Sequence, residues 1–207
     1  MDVTAIMDEK RKRNGEDKKE IILSCALTLF ARKGYLRTTV REIIDSSGFG
    51  TSTFYRHFSN KEDVLKTLLY NFLEQIIDRV NEYFARENNL YLRFVETKRV
   101  IIDVFAENKE LAEIYSRVPG ISESIDKILK EFDDKFLDFT IKNITYGIKK
   151  GIFRQLEVVP IAHAILGIIK YAVYKWVVLK EISVEEVSHM VTSFQESLAV
   201  GLMKEKL

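Results

Sequence analysis

Between positions 51 and 58 the chain reads Thr51-Ser52-Thr53-Phe54-Tyr55-Arg56-His57-Phe58, a run dense in hydrogen-bonding side chains. At about 100° per residue, a helix over this run puts Phe54 and Phe58 on one side and Ser52 and Arg56 on the other, with Thr53 and Tyr55 flanking them. A guanidinium and short hydroxyls on one face suit recognition of a polar surface. Arg can bond a guanine edge through O6 and N7, and hydroxyls reach bases or phosphates. The same chemistry does not suit turnover. His57, His163 and His189 are scattered, and Cys25, the single cysteine, has no evident base. No HExxH and no glycine-rich phosphate loop appears. Asp133 and Asp134 are adjacent on a helix, diverge, and read as a solvated face. The chain is therefore not expected to be an enzyme or to carry a metal or cofactor.

Two turns of helix cannot stand alone, so other elements must hold this one. Immediately before it, Thr39 and Glu42 form a capping box, in which the hydroxyl accepts from the third helical amide and the carboxylate reaches back to the cap amide. Val40, Ile43 and Ile44 give that helix an apolar face. Ser46-Ser47-Gly48 ends it, and Gly48 suits a left-handed residue just past a helix end. The result is a helix-turn-helix over 39–58, a unit that lays its second helix in the DNA major groove. A first helix over 17–32 supplies the support, with Ile22, Ala26, Leu29 and Phe30 inward. Ser59 and Glu62 read as a second capping box, opening a long helix to about Arg86 whose buried side is Val64, Leu65, Leu68, Leu69, Phe72, Ile76 and Val80.

The remainder is helical as well. Helices are expected over 90–107, 109–118, 122–150, 160–179 and 183–203, with Pro119-Gly120 and Gly151 as breaks, Pro160 in a first turn, and Ser183–Glu186 as a third capping box. The fold class is all-α, with nine helices: three in the head and six in the body. Three segments follow: a mobile basic arm over 1–16, a helix-turn-helix domain over 17–58, and a ligand-binding and dimerisation domain over 59–207.

Charge points the same way. The net of +1 hides a basic end: residues 10–61 hold twelve Lys or Arg against five Asp or Glu, a net of +7. A basic segment around a helix-turn-helix is the electrostatic footprint of a double-stranded DNA partner. Lys10-Arg11-Lys12-Arg13 could lie along phosphates or enter a minor groove. The N-terminus has no apolar signal-peptide core. The most apolar stretch, 161–179, is interrupted by His163, Lys170 and Lys175 and reads as a buried or dimerising helix. No membrane partner and a cytoplasmic location are expected.

The segment Gly34-Tyr35, Thr38-Thr39-Val40-Arg41-Glu42-Ile43, Gly48-Phe49, Thr53-Phe54-Tyr55-Arg56-His57-Phe58 and Asn60-Lys61-Glu62-Asp63-Val64-Leu65 resembles the DNA-binding head of the tetracycline-repressor (TetR) family. About 45 residues carry the resemblance. Three positions depart from the family pattern: Ile44 stands where alanine is usual, Thr51-Ser52 where lysine and glycine are frequent, and Gly50 where serine often caps. The resemblance implies a homodimeric regulator, a repressor by default, that binds a palindromic operator and responds to a small molecule. Thr51, Ser52, Thr53 and Arg56 are the expected base-edge contacts. Thr38, Thr39, Arg41, Tyr55 and Lys61 are the expected phosphate contacts.

The body should then dimerise and sense. Ala164, Gly167, Ile168 and Ala172 let helices approach, and Phe194 and Leu198 add bulk, so the last two helices are expected to form a four-helix interface with the partner. For an effector, Phe132, Phe136, Asn143, Tyr146, His163 and Trp176 are candidates, because pockets are apolar with a few polar groups. A hydrophobic or aromatic effector is expected. The alternatives from other classes are an enzyme or a helical adaptor built on a similar body.

Overall fold

The computed structural model describes the backbone of residues 3–202 and the side chains of 17–201 other than Leu90 and Tyr91. Among the described residues every regular element is helical: α1 (Val3–Lys33), α2 (Val40–Ser47), α3 (Thr51–His57), α4 (Lys61–Arg86), α5 (Leu90–Glu107), α6 (Lys109–Arg117), α7 (Glu123–Lys149), α8 (Val158–Tyr174) and α9 (Val184–Leu202). This is the all-α, nine-helix order that the apolar spacing predicts. The expected second helix-turn-helix partner and every body helix fall within a few residues of the predicted bounds.

Three local differences have physical causes. α1 is helical back to Val3, ahead of the expected start at Asp17. The side chains of the predicted arm, Lys10–Arg13 among them, lie outside the described residues. The cap of α4 is shifted by one residue. Asn60 Oδ1 accepts from the Asp63 amide at 2.8 Å, and the Asp63 carboxylate accepts from the Ser59 amide at 3.0 Å. Asn caps as well as Ser does, so Asn60 replaces Ser59 as the cap, and Asp63 reaches back one residue further, to the Ser59 amide. Finally, the expected helix to Leu179 loosens after Tyr174 into a π-helical turn, Lys175–Leu179, which ends on Lys180 in the left-handed region at φ 57°.

The chain divides into two compact units, residues 1–68 and 69–207. The division falls inside α4, ten residues beyond the boundary expected at 58/59. In the first unit α1 packs on α2. Ile22, Leu23, Ala26, Phe30, Ile43, Phe54, Phe58, Val64 and Leu65 make its core. Cys25 is half-buried, with its Sγ donating weakly to the Ser46 carbonyl at 3.5 Å. In the second unit α5 runs along α9 and α7 along α8, around Phe72, Phe105, Phe132 and Tyr115 in mutual ring contact. Val158–Leu179 is long and apolar enough to cross a membrane by length and composition alone. Here its Ala162, Ile165, Ile169, Ala172, Val173 and Val177 are buried in the second unit.

Candidate nucleic-acid interface and effector cavity

The head builds its reading face from the inside out. The Thr39–Glu42 box is present: the Thr39 hydroxyl accepts from the Glu42 amide at 3.3 Å, and the Glu42 carboxylate accepts from the Thr39 amide at 2.8 Å. Lys33 pairs with the same carboxylate. Its hydrogen bonds to Lys33 and then to Thr39 hold the Glu42 carboxyl down to about 2. Gly48, at φ 70° and ψ 7°, turns the chain and donates to the Asp45 carbonyl. A side chain there would be strained. Gly50 precedes α3 without a side-chain cap, so only its carbonyl, accepting from Thr53 and Phe54, closes the first turn.

α3 sits on two rings. Phe54 and Phe58 are buried, 5.8 Å apart between centroids, and Tyr55 lies edge-on to Phe54 at 5.3 Å. Thr51, Ser52, Tyr55 and Arg56 are exposed, and Thr53 is half-buried beside them. Arg41 and Thr39 are exposed at the start of α2. Arg41 is 90% exposed and only loosely paired with Asp45 at 3.9 Å. Of the seven expected contacts on α2 and α3, six are exposed and Thr53 is half-buried. His57 is half-buried with its Nε2 unpartnered. Burial first, then Arg56, Lys19 and Lys18, lowers its pKa.

Two expected phosphate contacts are corrected. Thr38 is 1% exposed, and its hydroxyl donates to the Gly34 carbonyl at 2.9 Å. Lys61 turns inward: Nζ donates to the carbonyls of Tyr35 at 2.9 Å and Thr38 at 2.8 Å and lies 4.3 Å from the centroid of the Tyr35 ring. Burial lowers its pKa. Both side chains fasten the segment between α1 and α2 rather than reaching out.

In the second unit a cavity of about 300 Å³ opens between α5, α7, α8 and α9. Phe136, Asn143 and Tyr146 line it, as do Phe84 of α4, Phe94, Ile101, Phe139, Ile165 and the Ile152–Phe153 segment. The expected residues Phe132, His163 and Trp176 are not among its walls. Phe132 is engaged with Phe72 and Tyr115, and His163 is exposed with Nδ1 2.9 Å from the Val159 carbonyl. Trp176 sits in the π-helical turn with Lys109 over its ring. Asn143 spends one amide hydrogen on the Phe139 carbonyl. Phe153 packs edge-on against Phe94 at 4.9 Å and lies across α7 at Gly147, where a Cβ would collide with its ring.

The sequence reading missed the polar wall. Lys98 is 3% exposed and Gln195 1% exposed, and both face this cavity together with Arg93. The signal was available. Lys98 stands four residues after Phe94 and three before Ile101, and Gln195 stands midway between Val191 and Ala199, so each interrupts an apolar helical stripe.

On the outer side of α8, Pro160, His163, Ala164, Gly167, Tyr171 and Tyr174 recur at three- and four-residue spacing and are all exposed. Ile168, Phe194 and Leu198 are half-buried. Ala172 belongs to the core at 0% exposure, which corrects its expected place in a dimer face. The helix turns it inward, opposite Tyr171 and Tyr174. Among the described residues no cluster of three or more His, Cys, Asp or Glu could hold a metal.

Comparison with known proteins agrees with this geometry. Residues 22–68 match the family model for bacterial regulatory proteins of the tetR family. The crystal structure of a TetR-family transcriptional regulator from Syntrophomonas wolfei str. Goettingen is 52% identical, superposes with a TM-score of 0.88, and covers 92% of this chain and 99% of that one. The transcriptional regulator FadR from Bacillus subtilis, solved with stearoyl-CoA, shares the fold at 23% identity and a TM-score of 0.76 over 85% of this chain and 96% of that one. The HTH-type transcriptional repressor KstR2 of Rhodococcus jostii (strain RHA1) is 28% identical over 159 residues, 75% of this chain and 77% of that protein. The likeness to the Syntrophomonas protein extends through head and body alike. The chain belongs to the TetR family of helix-turn-helix transcriptional regulators.

Proposed function

We propose that this chain is a ligand-responsive repressor that binds a palindromic operator as a homodimer and is released by a small apolar or aromatic effector. The observation that carries the reading is α3 itself, which buries Phe54 and Phe58 and leaves Thr51, Ser52, Tyr55 and Arg56 to solvent. Two such helices related by a dimer two-fold meet successive major grooves about one DNA turn apart. Arg56 with Ser52 reads base edges. Thr39, Arg41 and Tyr55 hold phosphates. The exposed small-and-aromatic stripe of α8, with Phe194 and Leu198 on α9, supports the dimer face.

Repression is the function that the name of the Rhodococcus relative records for that protein. The stearoyl-CoA bound by the Bacillus regulator supports an effector with an apolar part, as do the aromatic walls of the cavity. α4 links the two tasks: Lys61 in its first turn holds the head segment, and Phe84 near its other end lines the cavity. An effector that favours one placement of α4 shifts the population away from the DNA-binding state by its differential affinity for the two.

Selection of bound fragments from a random DNA pool tests the reading. A two-fold-symmetric motif should emerge, and its affinity should fall steeply with salt. Recovery of no motif, with equal retention of all sequences at several salt concentrations, would sink it.

A further inference from the structure

The cavity is lined mostly by apolar and aromatic side chains, with Thr140, Asn143 and Tyr146 on α7 and, among the described residues, its only charged ones, Arg93 and Lys98, on α5. Among its lining residues are Lys98 and Arg93 and not a single Asp or Glu. Arg93 is occupied, with its guanidinium donating to the carbonyls of Phe84 and Glu87 at the end of α4. Lys98 is far less satisfied. Its Nζ donates to the Phe94 carbonyl one turn back and lies 4.7 Å from the centroid of the Phe94 ring. No carboxylate pairs with it among the described residues. An ammonium has three protons to place, and a buried cation without a counter-charge is strongly disfavoured. Next to it, Gln195 donates Nε2 to the same Phe94 carbonyl at 2.7 Å, while its buried Oε1 has no partner. Two polar side chains from α5 and α9, each more than nine-tenths buried, thus converge on one carbonyl and keep a donor and an acceptor unspent.

We infer that the effector is a compact monocarboxylic acid, its carboxyl bound by Lys98 and Gln195 and its apolar body lying among Phe136, Phe139, Ile152 and Phe153. This rests on the effector-binding reading above and narrows it. The carboxylate takes the free protons of Lys98, and in its acid form the carboxyl can also donate to Gln195 Oε1. Burial, opposed only by Glu96, holds the Lys98 ammonium well below the usual lysine range, and an arriving carboxylate restores the charge. Size narrows the class further. At about 30 Å³ for each water-sized group, the cavity takes roughly ten such groups, so an aliphatic or aryl-aliphatic acid of roughly ten carbons fits. A coenzyme A thioester has no carboxyl to place against Lys98.

Calorimetric titration of the full chain with sodium decanoate, 1-decanol and decanoyl-CoA tests this. Decanoate should bind about tenfold or more tightly than decanol. Lys98→Met should abolish that preference while keeping decanol binding, and Gln195→Leu should weaken decanoate with the chain folded as before. Equal binding of decanol and decanoate, or tighter binding of decanoyl-CoA, would overturn the carboxylate assignment and leave the effector cavity standing. An unchanged acid preference in Lys98→Met would remove Lys98 from the role. Binding of none of the three would overturn the carboxylic-acid assignment and leave the aromatic side of the effector-binding reading standing.

Discussion

Lys61 in the head and Lys98 in the body are the same side chain in similar settings with opposite outcomes. Each lies over an aromatic ring, at 4.3 Å and 4.7 Å from the centroid. Lys61 reaches carbonyls of a separate segment, more than twenty residues away in sequence, and so ties that segment down. Lys98 reaches only its own helix, four residues back, and constrains nothing else. A buried donor without partners costs on the order of 1–3 kcal/mol, so the first lysine stabilises the fold whereas the second leaves a gap for something else to fill. The head spends Thr38 and Lys61 on its own carbonyls, leaving only Tyr35 Oη and His57 Nε2 unpartnered among its described buried polar atoms, and offers other polar groups outward to a partner. The body turns Lys98 and Gln195 inward and leaves both short of partners.

The largest test of that division is Phe54→Ala. Truncating a fully buried ring should cost about 3–5 kcal/mol. Because the loss is confined to residues 1–68, calorimetry should show the head melting early while the body keeps its transition. Lys61→Met should then lower stability by roughly 1–3 kcal/mol through its stranded carbonyls, whereas Lys98→Met should leave the unliganded melting temperature equal or higher. A drop of about 0.9 in the salt slope of operator binding for Lys61→Met would return that lysine to the phosphate contacts. Arg56→Ala reverses the pattern, with unchanged melting and a loss of about 1–3 kcal/mol in operator affinity, read by gel shift against the selected motif.

Smaller effects probe the support of the reading face. Thr39→Ala removes the α2 cap and should cost about 1 kcal/mol in chemical denaturation. The Glu42 carboxyl in the same cap is held down to about 2, chiefly by its hydrogen bond to Lys33. Its contribution is therefore complete above the ordinary carboxylate value near 4.5 and is lost as pH falls from there through about 2. Glu42→Gln should flatten that acid limb in a pH series of melts and leave the neutral region with a uniform deficit.

The head was legible because its determinants are local. The Thr39–Glu42 box, the left-handed Gly48 and the Phe54–Phe58 pair all act within four residues, and periodicity alone sorts Ser52 and Arg56 to the far side. Where the head misled, a longer reach was responsible. Thr38 and Lys61 face inward because of carbonyls at positions 34, 35 and 38, and nothing in their immediate spacing records this. In the body, aromatic content marked many possible cavity residues and could not tell the packed Phe132 and Trp176 from the cavity-lining Phe136 and Tyr146. Ala172 went to the core because the turn of α8 places it beside the buried Ile165 and Ile169 rather than beside Gly167. The sharper clue was a lysine and a glutamine on apolar stripes, a mismatch of residue type with position rather than a motif.

Gly147 carries one more consequence. The Phe153 ring occupies the volume that any other residue at this position of α7 would claim, and both residues border the effector cavity. The dimensions of the chamber are thus governed by a missing methyl group, far along the sequence from the amino acids proposed to meet DNA. Gly147→Ala, by displacing that ring, is a route to change which chain lengths the regulator admits without rewriting its operator. On the effector reading proposed above, positions 147 and 153 are the pair through which the input would be retuned while the operator stays the same.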